Sequence, residues 1–293
     1  MTIRPRRSVL YMPGSNARAL EKARSLPADA LILDLEDSVA PDAKDAARAQ
    51  VAAAVKAGGF GSREVIVRVN GLRTPWGADD LKAAAEAGPD AILIPKVESA
   101  GEIRDIGARL DDLGIAPATR LWAMIETPLG VIRAAEIAAA RHTAGAERLD
   151  CLVIGTNDLA KETRSRFVRG RLPMLTYLST IVLAARAHGL DVIDGVSNDL
   201  DELDGFAAEC RQGLELGMDG KTLIHPKQIA AANEVFRPTP DEIASARRVL
   251  AAFAEPANAG IGVIALDGRM VERLHAEMAA RTVAIAEAVE ARA

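Results

Sequence analysis

The sequence predicts an α/β fold, a (β/α)8 TIM barrel with a C-terminal helical extension. Three observations carry this expectation. Eight short apolar runs recur along the chain, and most of the stretches between them are rich in alanine with a helical spacing of apolar residues. The eight units together occupy about 230 residues, the ordinary size of such a barrel.

The runs are Ser8–Met12, Ala30–Leu35, Val65–Val69, Ala91–Ile94, Leu121–Ile125, Cys151–Ile154, Asp191–Ile193 and Lys221–Ile224. Each is apolar on both faces, as a parallel strand must be when helices cover one side and a packed interior the other. Helices are expected over Ala17–Ser25, Asp42–Ala57, Ala78–Ala87 and Thr176–His188, with Gly88 and Gly189 placed to stop two of them. An open doubly wound sheet would carry a glycine-rich phosphate turn after its first strand. Here that turn reads Met12-Pro13-Gly14-Ser15-Asn16, so the barrel is preferred.

Beyond Pro226 the pattern changes. Gln228–Phe236 and Asp241–Ala254 read as helices. A Pro/Gly/Asn-rich stretch follows, then the run Gly262–Leu266, the hairpin turn Asp267-Gly268-Arg269 and a last helix over Val271–Val289. Two regions are therefore expected: a catalytic barrel over residues 1–228, and an extension over 229–293 suited to a subunit interface or an active-site cover.

Composition excludes several classes of function. Hydrophobic residues make up 49% of the 293 and aromatic ones only 3%, which favours a helix-rich α/β enzyme over a β-sandwich. Cys151 and Cys210 form neither a disulfide framework nor a metal spacing, and a reducing cytoplasm is expected. The apolar run after the basic N-terminus is too short for a signal core, and nothing approaches a membrane span. Net charge is −5 with no basic stripe, so neither nucleic acid nor membrane is expected as a partner.

In a barrel of this kind, functional side chains stand at the C-terminal ends of strands. Those ends carry Asp34-Leu35-Glu36-Asp37, Arg68-Val69-Asn70, Pro95-Lys96-Val97-Glu98, Glu126-Thr127-Pro128 and Gly155-Thr156-Asn157-Asp158. Glu126 and Asp158 follow neighbouring strands, and two carboxylates with room for water suit Mg²⁺. The plain alternative is that Glu126 caps a helix and Asp158 makes a bond within its loop. Arg68, in an otherwise apolar strand, must be paired or face a polar cavity. It either steadies developing negative charge or bridges to Glu36 or Asp37, and the two are compatible. Of Glu36 and Asp37, one can orient metal-bound water, or Asp37 or Ser38 can cap a helix. His225 is the one histidine expected near the mouth, with a structural role; His142, His188 and His275 form no ligand spacing with it.

Several strings, taken together and in order, resemble the citrate lyase β-subunit-like family, which includes malyl-CoA, citramalyl-CoA and citryl-thioester lyases. They are Arg7-Ser8-Val9-Leu10-Tyr11-Met12-Pro13-Gly14, Leu33–Pro41, Val67-Arg68-Val69-Asn70, Ile94-Pro95-Lys96-Val97-Glu98, Met124-Ile125-Glu126-Thr127-Pro128 and Gly220–Pro226. The resemblance implies a Mg²⁺-dependent carbon–carbon lyase that cleaves or forms a short 3-hydroxyacyl-CoA, giving acetyl-CoA and a 2-keto acid. It implies Glu126 and Asp158 as metal ligands, with Glu126 also at the substrate, and Arg68 as the group that binds substrate and steadies the thioester enolate. It implies Asp267, in the turn Asp267-Gly268-Arg269-Met270-Val271, as an acid/base group supplied by a neighbouring subunit of a homotrimer or hexamer. Arg18 and Lys22, on the helix after the first loop, are expected near the coenzyme A phosphates, or else on a solvated helix face. One departure is Asn157, where many members carry an acidic residue before the aspartate. Four alternatives stay open: an acyl-CoA thioesterase, a pyruvate-type aldolase, a citrate lyase β chain acting on an acyl-carrier protein, and a non-catalytic barrel.

Overall fold

A computed structural model describes residues 3–292 and divides them into two compact units. Residues 6–235 form the first, and residues 236–292 with 3–5 form the second.

The first unit is a closed barrel of eight parallel strands in sequential order. They are β1 (Ser8–Pro13), β2 (Ala30–Asp34), β3 (Glu64–Arg68), β4 (Ala91–Ile94), β5 (Arg120–Ile125), β6 (Leu149–Ile154), β7 (Asp191–Asp194) and β8 (Gly220–Leu223). Closure is made by β1 on β8, with Val9 opposite Thr222. Every predicted run is a strand, with ends shifted by a residue or two in either direction.

The helices around the barrel are α1 (Ala17–Ala23), α2 (Lys44–Ala57), α3 (Gly77–Ala87), α4 (Ala100–Asp112), α5 (Pro128–Ile132), α6 (Ala134–Ala139), α7 (Thr156–Thr163), α8 (Leu175–Ala187), α9 (Leu203–Leu216) and α10 (Ile229–Val235). Their ends follow local chemistry. Ser99 accepts from the Glu102 N–H at the start of α4, and Thr127 accepts from the Gly130 N–H at the start of α5. Gly88 closes α3 in a left-handed conformation.

Side chains alternate across each strand, so every second residue enters the interior. Val9, Ala30, Ile32, Ile66, Ala91, Leu93, Trp122, Met124, Cys151, Val153 and Ile193 pack there as one cluster. Small Ala30 and Ala91 make room for Trp122, a barrel filled by its own side chains. Arg6 lies over the Trp122 ring at 4.7 Å and pairs with Glu64, Asp150 and Asp191 at 2.6–2.8 Å. These ion pairs involve the first residues of β3 and β7, so they close the end of the barrel opposite the strand C-termini.

The second unit contains α11 (Pro240–Ala254), a hairpin of β9 (Val263–Leu266) and β10 (Arg269–Glu272), and α12 (Arg273–Glu290), which packs on α11. The hairpin turn is Asp267-Gly268, both at positive φ, the geometry that such a pair prefers. The last helix begins at Arg273 rather than at the expected Val271. Val271 instead pairs with Ile264 across the hairpin, and Glu272 caps the helix. Among the described residues, no helix is long and apolar enough to cross a membrane.

Candidate active site

The inward alternation that fills the core also builds the site. Trp122 and Met124 point inward on β5, and Glu126 continues the same phase just past the strand end. On β2 the phase of Ala30 and Ile32 brings Asp34 inward, and on β3 that of Ile66 brings Arg68. Apolar interior thus passes into charge within two residues along each strand. The mouth encloses a cavity of about 310 Å³ whose lining includes Tyr11, Asp34, Arg68, Glu126, Thr156 and Asp158.

Arg68 is the fixed cation of this mouth. Asp34 is its register partner across β2 and β3. Two parallel bonds join them, Nε to Oδ1 at 2.6 Å and Nη2 to Oδ2 at 2.7 Å. Nη1 lies 2.8 Å from Glu36 Oε2 and 3.7 Å from Asp37, and the guanidinium lies over the Tyr11 ring at 4.9 Å. The expected bridge to Glu36 is present, but the principal partner is Asp34, which sequence reading missed. Burial opposes ionisation of Asp34. The Arg68 charge, with hydrogen bonds from Arg68 and Ser38 and from the Glu36 N–H, outweighs burial and holds Asp34 below the usual carboxylate range.

Glu126 is almost fully buried, at 1% exposure. Its Oε1 accepts the backbone N–H of Lys96 at 2.9 Å. Burial pushes its pKa up to about 8, and the negative charge of Glu36 adds to the rise. Helix capping, the plain alternative for Glu126, falls instead to Thr127. Asp158 stands in the first turn of α7, where the helix N-terminus favours a negative charge. Gly155 lets Glu126 sit where it does. A Cβ there would lie 2.4 Å from Glu126 Cβ and 2.5 Å from its Oε2.

Lys96 joins these groups. Its ammonium donates to Glu36 Oε1 at 2.8 Å and stands 4.0 Å from both Glu126 Oε1 and Asp158 Oδ1. In the sequence Lys96 stands out only as part of Pro95-Lys96-Val97-Glu98. Lys44 is a second missed cation. Its Nζ donates to the carbonyls of Leu35 and Glu36 and to Asn70 Oδ1 at 2.8–2.9 Å, which fixes the loop that carries Glu36. Asp37 and Ser38 do not cap a helix side chain to backbone. Asp34 instead fixes the loop after β2, accepting the N–H groups of Glu36 and Ser38.

The donor set fits a divalent cation. Asp34, Glu36, Asp37, Glu126 and Asp158 converge on the mouth, whereas Arg68 and Lys96 are the cations paired with them. The excess is negative, and Glu126 and Asp158 flank one ammonium. Among the described residues no group of three or more His, Cys, Asp or Glu is arranged to hold a metal. Two carboxylates completed by water and substrate oxygens is the habit of Mg²⁺.

The remaining predicted residues lie elsewhere. Arg18 and Lys22 are exposed on α1 and do not line the cavity. His225 accepts the Lys227 N–H at Nδ1, 3.0 Å away, which is the structural role expected of it. Asp267 belongs to the second unit, where its exposed carboxylate lies 3.5 Å from Arg248 Nε. Both cysteines are buried as free thiols, and burial pushes Cys210 up to about 12.

Comparison with known proteins adds an independent line. The sequence model of the HpcH/HpaI aldolase/citrate lyase family matches residues 7–226. A protein named (3S)-malyl-CoA thioesterase from Cereibacter sphaeroides (strain KD131 / KCTC 12085) is 52% identical over 287 residues, covering 98% of this chain and 96% of that protein. Citrate lyase subunit beta of Escherichia coli (strain K12) is 39% identical over 274 residues, covering 92% and 89% of the two chains. The crystal structure of CitE from Mycobacterium tuberculosis, in complex with magnesium, acetoacetate and coenzyme A, superposes with a TM-score of 0.74. Its sequence is 32% identical, and the match covers 95% of this chain and 97% of that one.

Proposed function

This chain belongs to the HpcH/HpaI aldolase/citrate lyase family, and on that footing we propose that it is a Mg²⁺-dependent carbon–carbon lyase acting on a malyl-CoA-type thioester. The observation that carries the reading is the meeting of Glu126 and Asp158 at one ammonium, beside a buried Arg68, in one cavity.

Glu126 and Asp158 would hold the ion. When bound, magnesium supplies a Lewis acid for the hydroxyl and carboxylate oxygens of the substrate. Arg68, kept cationic and rigid by Asp34, offers positive charge to the thioester oxygen. Splitting the bond between the carbinol carbon and the carbon next to the thioester passes its electron pair to that second carbon. The hydroxyl gives its proton to solvent water and becomes the carbonyl of a 2-keto acid, and the enolate so formed is the charge Arg68 meets. Asp267, from a neighbouring copy in a trimer or hexamer, returns a proton to the enolate carbon and completes acetyl-CoA. Arg18 and Lys22 on α1 are the proposed contacts for coenzyme A phosphates.

Hydrolysis of the same thioester is a second reading, favoured by the name of the 52% identical relatives. The cavity itself favours scission. A buried Arg68 beside the two carboxylates suits the enolate that scission forms and hydrolysis does not. The test is incubation with (3S)-malyl-CoA, with and without Mg²⁺. Glyoxylate and acetyl-CoA formed in equal amounts, and lost on chelation, are the expected result. Malate and free coenzyme A without glyoxylate would establish hydrolysis instead. Citryl thioester of an acyl-carrier protein serves as the competing substrate, and its preferential turnover would overturn the malyl-CoA assignment.

A further inference from the structure

We propose that Lys96 is the resident counter-ion of the metal site, which an incoming divalent cation displaces, so that Lys96 governs how tightly the ion is held. The inference rests on the reading of Glu126 and Asp158 as ligands and goes beyond it by giving the site a built-in competitor.

Geometry sets Lys96 apart from an ordinary surface lysine. Its backbone has φ of 51°, a left-handed conformation that long side chains rarely adopt. Such an outlier persists only where the surroundings hold it, and it is found where function requires it. Here the holder is Glu126, whose Oε1 takes the Lys96 N–H at 2.9 Å. The residue that anchors the strained backbone is thus one of the groups its own ammonium neutralises.

The three ion pairs of that ammonium differ in kind. With Glu36 it makes a hydrogen bond at 2.8 Å, while Glu126 and Asp158 stand at 4.0 Å, beyond hydrogen-bond reach. Its side chain is 42% exposed, whereas that of Glu126 is 1% exposed. The ammonium can therefore withdraw toward Glu36 and solvent while both carboxylates stay in place. A cation held by Glu126 and Asp158 and an ammonium facing the same pair repel each other in a mouth of low dielectric. Binding the ion must displace the ammonium, and the work of doing so weakens the observed affinity.

The test is titration of the whole protein with Mn²⁺, followed by electron paramagnetic resonance and by calorimetry, in wild type, Lys96→Met, Lys96→Gln and Lys96→Arg. Removing the like charge is expected to tighten Mn²⁺ binding by about tenfold in the Met and Gln variants. The Arg variant, which keeps the charge, is expected to stay close to wild type. Thermal unfolding with and without Mn²⁺ gives a second readout, with a larger metal-induced rise in Tm for Lys96→Gln than for wild type. Binding in wild type that is equal or tighter than in both neutral variants would overturn the counter-ion role. Absence of Mn²⁺ binding in every protein, or binding unaffected by Glu126→Gln, would overturn the ligand reading itself, a distinguishable outcome.

Discussion

At the scale of single residues, Arg68 holds several carboxylates of the site together. Arg68 is buried and bidentate, so its loss strands Asp34 without its charge partner and leaves Glu36 with Lys96 alone. Breaking a buried pair on one side costs about 3–5 kcal/mol. Losing an electrostatic donor at a developing charge costs about 100- to 1000-fold in kcat. Arg68→Met is expected to show both, in urea unfolding and in steady-state turnover. Arg68→Lys is not expected to rescue it, because an ammonium cannot make the paired contact to Asp34. Gly155 separates packing from chemistry. Gly155→Ala drives a methyl into the Glu126 side chain, and displacement of that carboxylate is expected to cost about 100-fold in metal-dependent activity while the fold survives.

Glu126 also predicts how stability responds to pH. Burial, with Glu36 adding, raises it from 4.5 to about 8 without a bound cation, so the folded protein keeps a proton that the unfolded chain has released. The stability linked to that proton is present below about 4.5 and is lost as pH rises through about 8. Chelated protein should therefore lose free energy of unfolding across that window, and Glu126→Gln should lack this part of the slope. Identical slopes in the two proteins would place the effect elsewhere.

Strand register makes the corresponding arrangements between elements. Asp194 faces Lys221 across β7 and β8, and both are fully buried. Lys221 Nζ donates to Asp194 Oδ2 at 2.9 Å, and Arg171, from the segment before α8, donates to both Asp194 oxygens at 2.7–2.8 Å. This knot ties the last two strands to the wall of a second cavity of about 230 Å³, which shares Thr156 and Val196 with the first. Burial disfavours a charged Asp194, but Lys221 and Arg171 reverse the balance and hold it below the usual carboxylate range. Lys221→Met is expected to destabilise the barrel by about 3 kcal/mol, measured by urea unfolding, because Asp194 loses one of its two cations.

For the whole molecule, the decisive question is where Asp267 acts. Its carboxylate is exposed in the second unit, in a hairpin turn. If a neighbouring copy receives it, Asp267→Ala and Glu126→Gln are each inactive, yet mixed assemblies pair an intact barrel with an intact turn. Co-refolded mixtures of the two variants should therefore recover activity that neither shows alone. No recovery, in mixtures shown by native mass spectrometry to contain both chains, would remove Asp267 from its proposed role.

The sequence by itself determined the barrel and the positions of its charged strand ends. Eight apolar runs such as Ala91–Ile94, alternating with helical stretches, suit strands buried on both faces of a covered parallel sheet, and the period of two then points Arg68 and Glu126 inward. Local patterns sufficed there because burial and alternation act over a few residues. Tertiary structure decided which charges meet. That Arg68 pairs first with Asp34 depends on the register of β2 against β3, and that Asp194 meets both Lys221 and Arg171 depends on three segments distant in the chain. The reach of Lys96 over Glu36, Glu126 and Asp158 depends on a left-handed backbone held by a neighbouring strand. Gly155 had a legible signal, a glycine at a strand end, but its reason lay in the Glu126 side chain across β5 and β6. Coulomb interactions act through space, and the distances that decide them exist only once the barrel has closed.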